Sequence, residues 1–218
     1  MLRNTPDVFN NRKQIRHYLQ EIAPDHTIIK NALEKTYDLV PSKQSLIPYK
    51  VHVVGPFNEK VNKALYETST FSGVLANRGL LTAPYNFVYE VRLSQGNSAV
   101  QHDIDVNGHI QPVMDKNLYK RRDIIKNTTL EIGMHAAVLS SILLENNLDI
   151  SYTLCFENNE NGSSERWNHP ALDFITDEVQ FIMSTGYSDN EKYWPAGEEK
   201  PEIAEVINWI KKNPTQGE

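Results

Sequence analysis

The sequence predicts an α+β domain built on a mostly antiparallel or mixed sheet. Three observations predict it. Strand-like and helix-like stretches are interspersed without the regular βαβ rhythm of a parallel sheet. The clearest helical stretch, Thr128 to Asn146, carries a broad apolar face, as a helix buried against a sheet does. The 218 residues suit one domain, with room for an inserted arm, and are few for two.

Each element has its own signal. Asp25 to Val40 reads as a helix, with Ile28, Ile29, Ala32, Leu33 and Tyr37 on one stripe. Asp25 supplies the N-cap, and Pro41 biases Val40 away from helical geometry. Tyr49 to Val54 alternates like a strand and stops at Gly55-Pro56. Asn58 caps a short helix over Glu59 to Glu67, with Val61, Ala64 and Leu65 inward. Tyr85 to Leu93 is a second strand, entered through Ala83-Pro84. Ser94 to Lys116 is polar and rich in turn residues, an excursion from the core. Thr128 and Glu131 form a capping box at the start of the long helix. Its inward face is Ile132, Ala136, Leu139, Leu143 and Leu144. Ile150 to Phe156 and Val179 to Thr185 are two further strands, separated by a polar loop at Asn158 to Ser164. Gly186 ends the last strand, and Pro201 opens a final helix with Ile203, Val206, Ile207 and Ile210 inward.

Composition narrows the function classes. Lys and Arg number 22 against 28 Asp and Glu, a net charge of −6. That sign disfavours a general phosphate-backbone binder, so no nucleic-acid partner is expected. Cys155 is the only cysteine, which excludes an intramolecular disulfide and any CxxC motif and suits a reducing compartment. No apolar run approaches the roughly 18 residues of a membrane span. Met1 to Asn10 lacks the apolar core of a signal peptide. The expected location is cytoplasmic, with no membrane partner. Dinucleotide and phosphate-loop glycine motifs, a nucleophile elbow and a zinc helix are all absent from the sequence.

Asp103 to Ile110 matches the opening of a calcium loop, but Met114 stands where a bidentate Glu is needed, and flanking helices are missing. Asn107-Gly108 there reads as a tight hairpin turn. The sequons at Asn127 and Asn161 are expected to be inert. Cys155, in an apolar stretch, reads as a buried small hydrophobe. Two segments hold more chemistry. Arg12, Lys13 and Arg16 place three cations within five residues, and Arg12, Gln14 and Arg16 share one side if the chain is extended. They suit either one phosphate or a solvated basic turn. Pro41 to Tyr49 joins a helix to a strand with short hydroxyl and amide side chains. It suits either a planar polar ring or an ordinary loop.

Taken in order, these segments resemble the flavin-dependent nitroreductase family. That family opens with Arg-Arg-Ser-x-Arg, which Arg12-Lys13-Gln14-Ile15-Arg16 resembles. Its helix ends in Pro-Ser-x-x-Asn-x-Gln-Pro-Trp, to which Pro41 through Tyr49 is similar. Ala83-Pro84 before a strand, the helix from Thr128, Leu148-Asp149, and Gly186-Tyr187 with Glu199-Lys200-Pro201 continue the likeness from about Phe9 to Trp209. The resemblance implies an α+β fold, an intertwined homodimer, and one FMN in each of two pockets between the subunits.

Residue by residue, it implies that Arg12, Lys13, Gln14, Arg16 and Lys200 hold the phosphate and ribityl end. Pro41, Ser42, Lys43 and Ser45 would line the ring, and the amides of Leu154 and Cys155 would sit near flavin N5. NADH or NADPH would deliver hydride, and an electron-poor acceptor such as a nitroaromatic or quinone would then take the same place. No side chain is assigned as an acid or base, because the cofactor carries the hard step. Departures from the pattern are Gln14 for Ser, Ser45 for Asn, Ile47 for Gln, Tyr49 for Trp, and Leu154-Cys155 for Glu-Gly. They leave as the alternative a flavin-binding relative with lost or different chemistry. The excursion at 94–116 would serve as a lid or as surface decoration.

Overall fold

Apolar residues on both faces of a central strand organise the chain around an antiparallel sheet. The computed structural model describes residues 15–42, 47–69, 77–92, 102–104, 110–112, 121–153, 169–176 and 178–188. In chain order the elements are α1 (His26–Leu39), β1 (Tyr49–Val54), α2 (Glu59–Ser69), α3 (Gly79–Thr82), β2 (Tyr85–Val91), β3 (His102–Ile104), β4 (Ile110–Pro112), α4 (Arg121–Glu145), β5 (Asp149–Thr153) and β6 (Val179–Gly186). The main sheet has the order β1-β2-β6-β5, and all its pairings are antiparallel.

Strand β2 is buried along its whole length, and its side chains alternate between two cores. Phe87 and Tyr89 join Leu139, Leu143 and Ile150 under α1 and α4. Val88 joins Leu65, Leu80, Leu172 and Ile182 on the opposite face. A sheet covered on both sides needs nearly continuous apolar strands, and β2 and β6 supply them.

The α+β reading with an antiparallel sheet therefore holds. Asp25 caps α1, its Oδ1 accepting from Thr27 N–H at 2.8 Å, and Val40 is extended before Pro41. Asn58 Oδ1 accepts from Val61 N–H at 3.3 Å at the start of α2. The apolar residues expected inward on α4 are all buried.

Three expectations need correction. Thr128 is not an N-cap. Helix α4 begins at Arg121, so Thr128 and Glu131 are interior, and both are buried in tertiary contacts. Nothing in the preceding Arg121 to Asn127 breaks a helix, and a Thr-x-x-Glu pair is equally compatible with a helix interior. Tyr37 is 63% exposed and not on the buried face, because the buried stripe of α1 runs through Ile29, Ala32 and Thr36 and Tyr37 flanks it. The second strand ends at Val91, earlier than expected, and the third begins at Asp149, while its expected end at Phe156 lies outside the described residues.

The 94–116 excursion contains the β3–β4 hairpin, with Asp103 opposite Gln111 and Ile104 opposite Ile110. Asn107 and Gly108, between these paired strands, lie outside the described residues. The sequon at Asn127 lies in α4. The loop at 158–164, Cys155, Asn161 and the helix after Pro201 lie outside the described residues.

Close packing at the end of β6 gives one test of the fold. A Cβ on Gly186 would lie 2.5 and 2.6 Å from the Pro84 ring carbons and 3.2 Å from the Tyr18 ring. Rings that cannot rotate away must be displaced instead, so Gly186→Ala is expected to cost about 1–3 kcal/mol. Urea unfolding of the variant checks this, and an unchanged midpoint would contradict the packing.

Candidate functional site

The loop from Pro41 to Tyr49 is tied at both ends. Ser42 Oγ donates to Glu131 Oε2 at 2.7 Å and accepts from Ile47 N–H at 2.8 Å. The Arg92 guanidinium donates to the Ile47 carbonyl at 3.3 Å. Ile47 is thereby held at φ 42°, a left-handed conformation that a β-branched residue adopts only when its surroundings impose it. Because Ser42 gives its proton to Glu131, its hydroxyl serves the loop's own geometry.

Beside this loop, α1, β1 and α4 enclose an open groove of about 600 Å³, within the range of small-molecule sites. Its apolar wall is Leu33, Tyr37, Ile47, Tyr49, Val51 and Val53. Glu34, Asp38 and His135 complete the lining. His135 is a buried polar residue of α4, its Nδ1 2.9 Å from Tyr89 Oη and its ring edge-on to Tyr49 and Tyr89. Burial pushes its imidazole down to about 4, so the ring is neutral at pH 7. Burial, with the nearby Glu131 carboxylate, pushes the Tyr49 phenol up to about 12. The sequence signal for His135 is its spacing, three residues after Ile132 and four before Leu139, on the buried stripe of α4.

On the other face of the sheet, fully buried Glu90 holds the 169–176 segment to β2. It accepts from Thr176 N–H at 3.1 Å and Thr176 Oγ1 at 2.6 Å, and pairs with His52 and, at 3.7 Å, Lys50. Burial raises this carboxyl, but the Thr176 and His52 hydrogen bonds and Lys50 together hold it below its ordinary value.

Of the expected cofactor-binding residues, Arg16, Pro41 and Ser42 are described. Arg12, Lys13, Gln14, Lys43, Ser45, Leu154, Cys155 and Lys200 lie outside the described residues. Arg16 is half-buried between Ile15, whose carbonyl accepts from Asn77 Nδ2, and Tyr18. No ion pair to Arg16 occurs among the described residues. The Tyr18 hydroxyl is buried, donating at 3.0 Å to both Ser151 Oγ and the Ser184 carbonyl, and burial raises its phenol well above the ordinary value.

One chain does not bring Arg16 and Ser42 together. Tyr18, two residues from Arg16, contacts the row of Ser151, Ser184, Asn86 and Val54. Ser42 sits at the other end of β1, bonded to the residue two before Tyr49. The rows of Val54 and Tyr49 are ~17 Å apart along the strands, and β1 and β5 are ~14 Å apart across the sheet. Arg16 and Ser42 thus lie toward diagonally opposite corners of the sheet, roughly 20 Å apart.

No protein-family model and no curated protein matches the sequence. Solved structures do match the fold. A Staphylococcus epidermidis protein assigned as an NAD(P)H:FMN oxidoreductase is similar at a TM-score of 0.68 and 13% identity, over 96% of this chain and 97% of that one. NADPH:FMN oxidoreductase from Vibrio harveyi, complexed with NAD+, is similar at 0.67 and 12%, over 98% and 80%. An Exiguobacterium sibiricum protein assigned as a nitroreductase, in complex with FMN, is similar at 0.66 and 13%, over 95% and 98%.

Proposed function

The chain has the nitroreductase fold, and we propose from it that the protein is an FMN-dependent NAD(P)H oxidoreductase acting on nitroaromatic, quinone or similar electron-poor acceptors as a homodimer. The carrying observation is the fold shared over nearly the whole chain with flavin oxidoreductases. The residues fit FMN in one respect and depart in another. Arg16 is a guanidinium without a carboxylate partner among the described residues, suited to a phosphate. Ser42 is committed to Glu131, so donors to the ring would come from backbone amides of its loop. The diagonal separation of Arg16 and Ser42 favours a pocket completed by two copies, with phosphate anchored by one and ring lined by the other.

Bound FMN would supply the hydride-accepting and hydride-donating centre. The chain would supply Arg12, Lys13, Gln14, Arg16 and Lys200 toward the phosphate and ribityl end, and Pro41, Ser42, Lys43 and Ser45 along the ring. The amides of Leu154 and Cys155 would lie toward N5. Exclusion of water by the apolar surroundings would limit side reactions.

The test is direct. The purified full-length protein, loaded with FMN, should bleach in the flavin band on addition of NADH or NADPH and recover with a quinone. Tight flavin binding without bleaching by either nicotinamide would select the second reading, a non-catalytic flavin binder. Ser42's engagement with Glu131 favours that reading. Arg16→Ala should weaken FMN binding by about 1.5–3 kcal/mol, the value of a charged hydrogen bond. Fluorescence titration of FMN measures it, and unchanged affinity would move the phosphate elsewhere.

A further inference from the structure

Arg16 stands between two fixed points of main chain. One residue before it, the Ile15 carbonyl accepts from Asn77 Nδ2 at 3.2 Å, and the Oδ1 of the same side chain accepts from the Gly79 N–H at 2.9 Å. Two residues after it, the Tyr18 N–H donates to Thr82 Oγ1 at 3.0 Å. The next N–H, that of Leu19, donates to the Tyr187 carbonyl at 2.9 Å. The Tyr18 hydroxyl ties the same segment to Ser151 on β5 and Ser184 on β6. Ile15, Tyr18 and Asn77 are buried, while Arg16 between them is half-buried.

Apart from one bridge between Tyr18 and Ser188, residues 15–19 belong to no helix or sheet. The segment has no ladder of its own, so side chains reaching to it fix its course. Those side chains are themselves fixed. Ser184 Oγ donates to Asn86 Oδ1 at 2.6 Å, and Asn86 Nδ2 donates to Asn62 Oδ1 at 2.8 Å. The packing leaves little room to shift: a Cβ on Gly79 would lie 2.9 Å from Ser151 Oγ and 3.2 Å from the Ile15 carbonyl. Buried hydrogen bonds of this kind add little net stability, but they do specify one arrangement. A cation on main chain that is already ordered loses less freedom when it meets an anion, and so binds it more tightly.

We propose that Asn77 and Tyr18 are positioning residues for the anion site at Arg16, holding the main chain on either side of it so that the guanidinium is pre-organised for a phosphate monoester. The proposal deepens the flavin reading and rests on its assignment of Arg16 to the phosphate. Neither Asn77 nor Tyr18 touches the ligand; each acts through Arg16.

The experiment compares two flavins on the full-length protein freed of bound flavin. FMN carries the phosphate, and riboflavin has the same ring and ribityl chain without it. Fluorescence titration gives both affinities, and thermal unfolding of each variant is recorded alongside. The wild-type chain should bind FMN roughly tenfold or more tightly than riboflavin. Tyr18→Phe keeps the ring beside Gly186 and removes the hydroxyl, and Asn77→Ala releases the Ile15 carbonyl. Each should weaken FMN about five- to tenfold and change riboflavin less than about twofold. In an Arg16→Ala background neither substitution should weaken FMN further, because the coupled term is already lost. Tyr18→Phe decides the matter alone if Asn77→Ala does not fold. An equal loss for both flavins, a loss that persists without Arg16, or no loss in a folded variant would overturn the proposal. FMN bound no more tightly than riboflavin by the wild-type chain would overturn the assignment of Arg16 itself, and it is read before any variant is made.

Discussion

Phe87→Ala is expected to destabilise the protein by about 3–5 kcal/mol, among the largest losses any single truncation here should produce. Phe87 is 0% exposed at the middle of β2, between Val53 of β1 and Met183 of β6. Its ring joins the core under α1 and α4, with Leu139, Leu143 and Ile150. Both neighbouring strands and the helices above are held by their own hydrogen bonds, so little can collapse into the space. The loss is the transfer free energy of the ring plus the cavity it leaves. Denaturant unfolding at matched protein concentration measures it, since association would add to apparent stability. A loss below about 1 kcal/mol would mean that the core around β2 repacks freely.

Acidification from pH 7 to pH 4 is expected to remove roughly 3 kcal/mol of stability through His135 alone. Burial holds its folded imidazole near 4, against 6.5 ordinarily. Between those values the unfolded chain binds a proton that the folded protein refuses, so stability falls as pH drops through the window. Glu90 acts in the same direction lower down. Its folded carboxyl lies below the ordinary 4.5, so its contribution is present above that value and is lost only as pH falls through the folded value. The two are separable. His135→Leu should flatten the stability profile between pH 6.5 and about 4 and leave the steeper fall beneath it. Removing the ring also strands the Tyr89 hydroxyl, which lowers stability at every pH without changing the slope. Thermal unfolding across pH 3–7 checks both limbs, and an unaltered slope in the variant would show that His135 is not neutral in the fold.

Much of the fold was legible because it rests on local periodicity and punctuation. The Asp25 cap, the Pro41 stop, the alternation of β1 and the apolar stripe of α4 all depend on residues a few positions apart. The capping box failed for the same reason. Thr128 and Glu131 have the right spacing, but their partners are distant in sequence: Pro48 for Thr128 and Ser42 for Glu131. A motif read locally cannot register a contact about 80 residues away. The candidate site was legible only in its motifs. Its phosphate and ring segments resemble those of nitroreductases, yet the groove with His135, Val51 and Asp38 has no motif at all.

By itself the sequence determined where the chain turns, which faces are apolar, that the protein is acidic, and that the fold is α+β. Those are properties of short windows and of composition. The tertiary structure alone decided three other things. It set the strand order β1-β2-β6-β5 and so placed Arg16 and Ser42 at opposite corners of one sheet. It buried His135 and Glu90, giving one a neutral ring and the other a supported charge. It joined two carboxylates and two tyrosines from separate elements into one groove. Each depends on which distant segments share a low-dielectric volume, because the cost of a charge and the worth of a hydrogen bond are set by surroundings that local sequence does not contain.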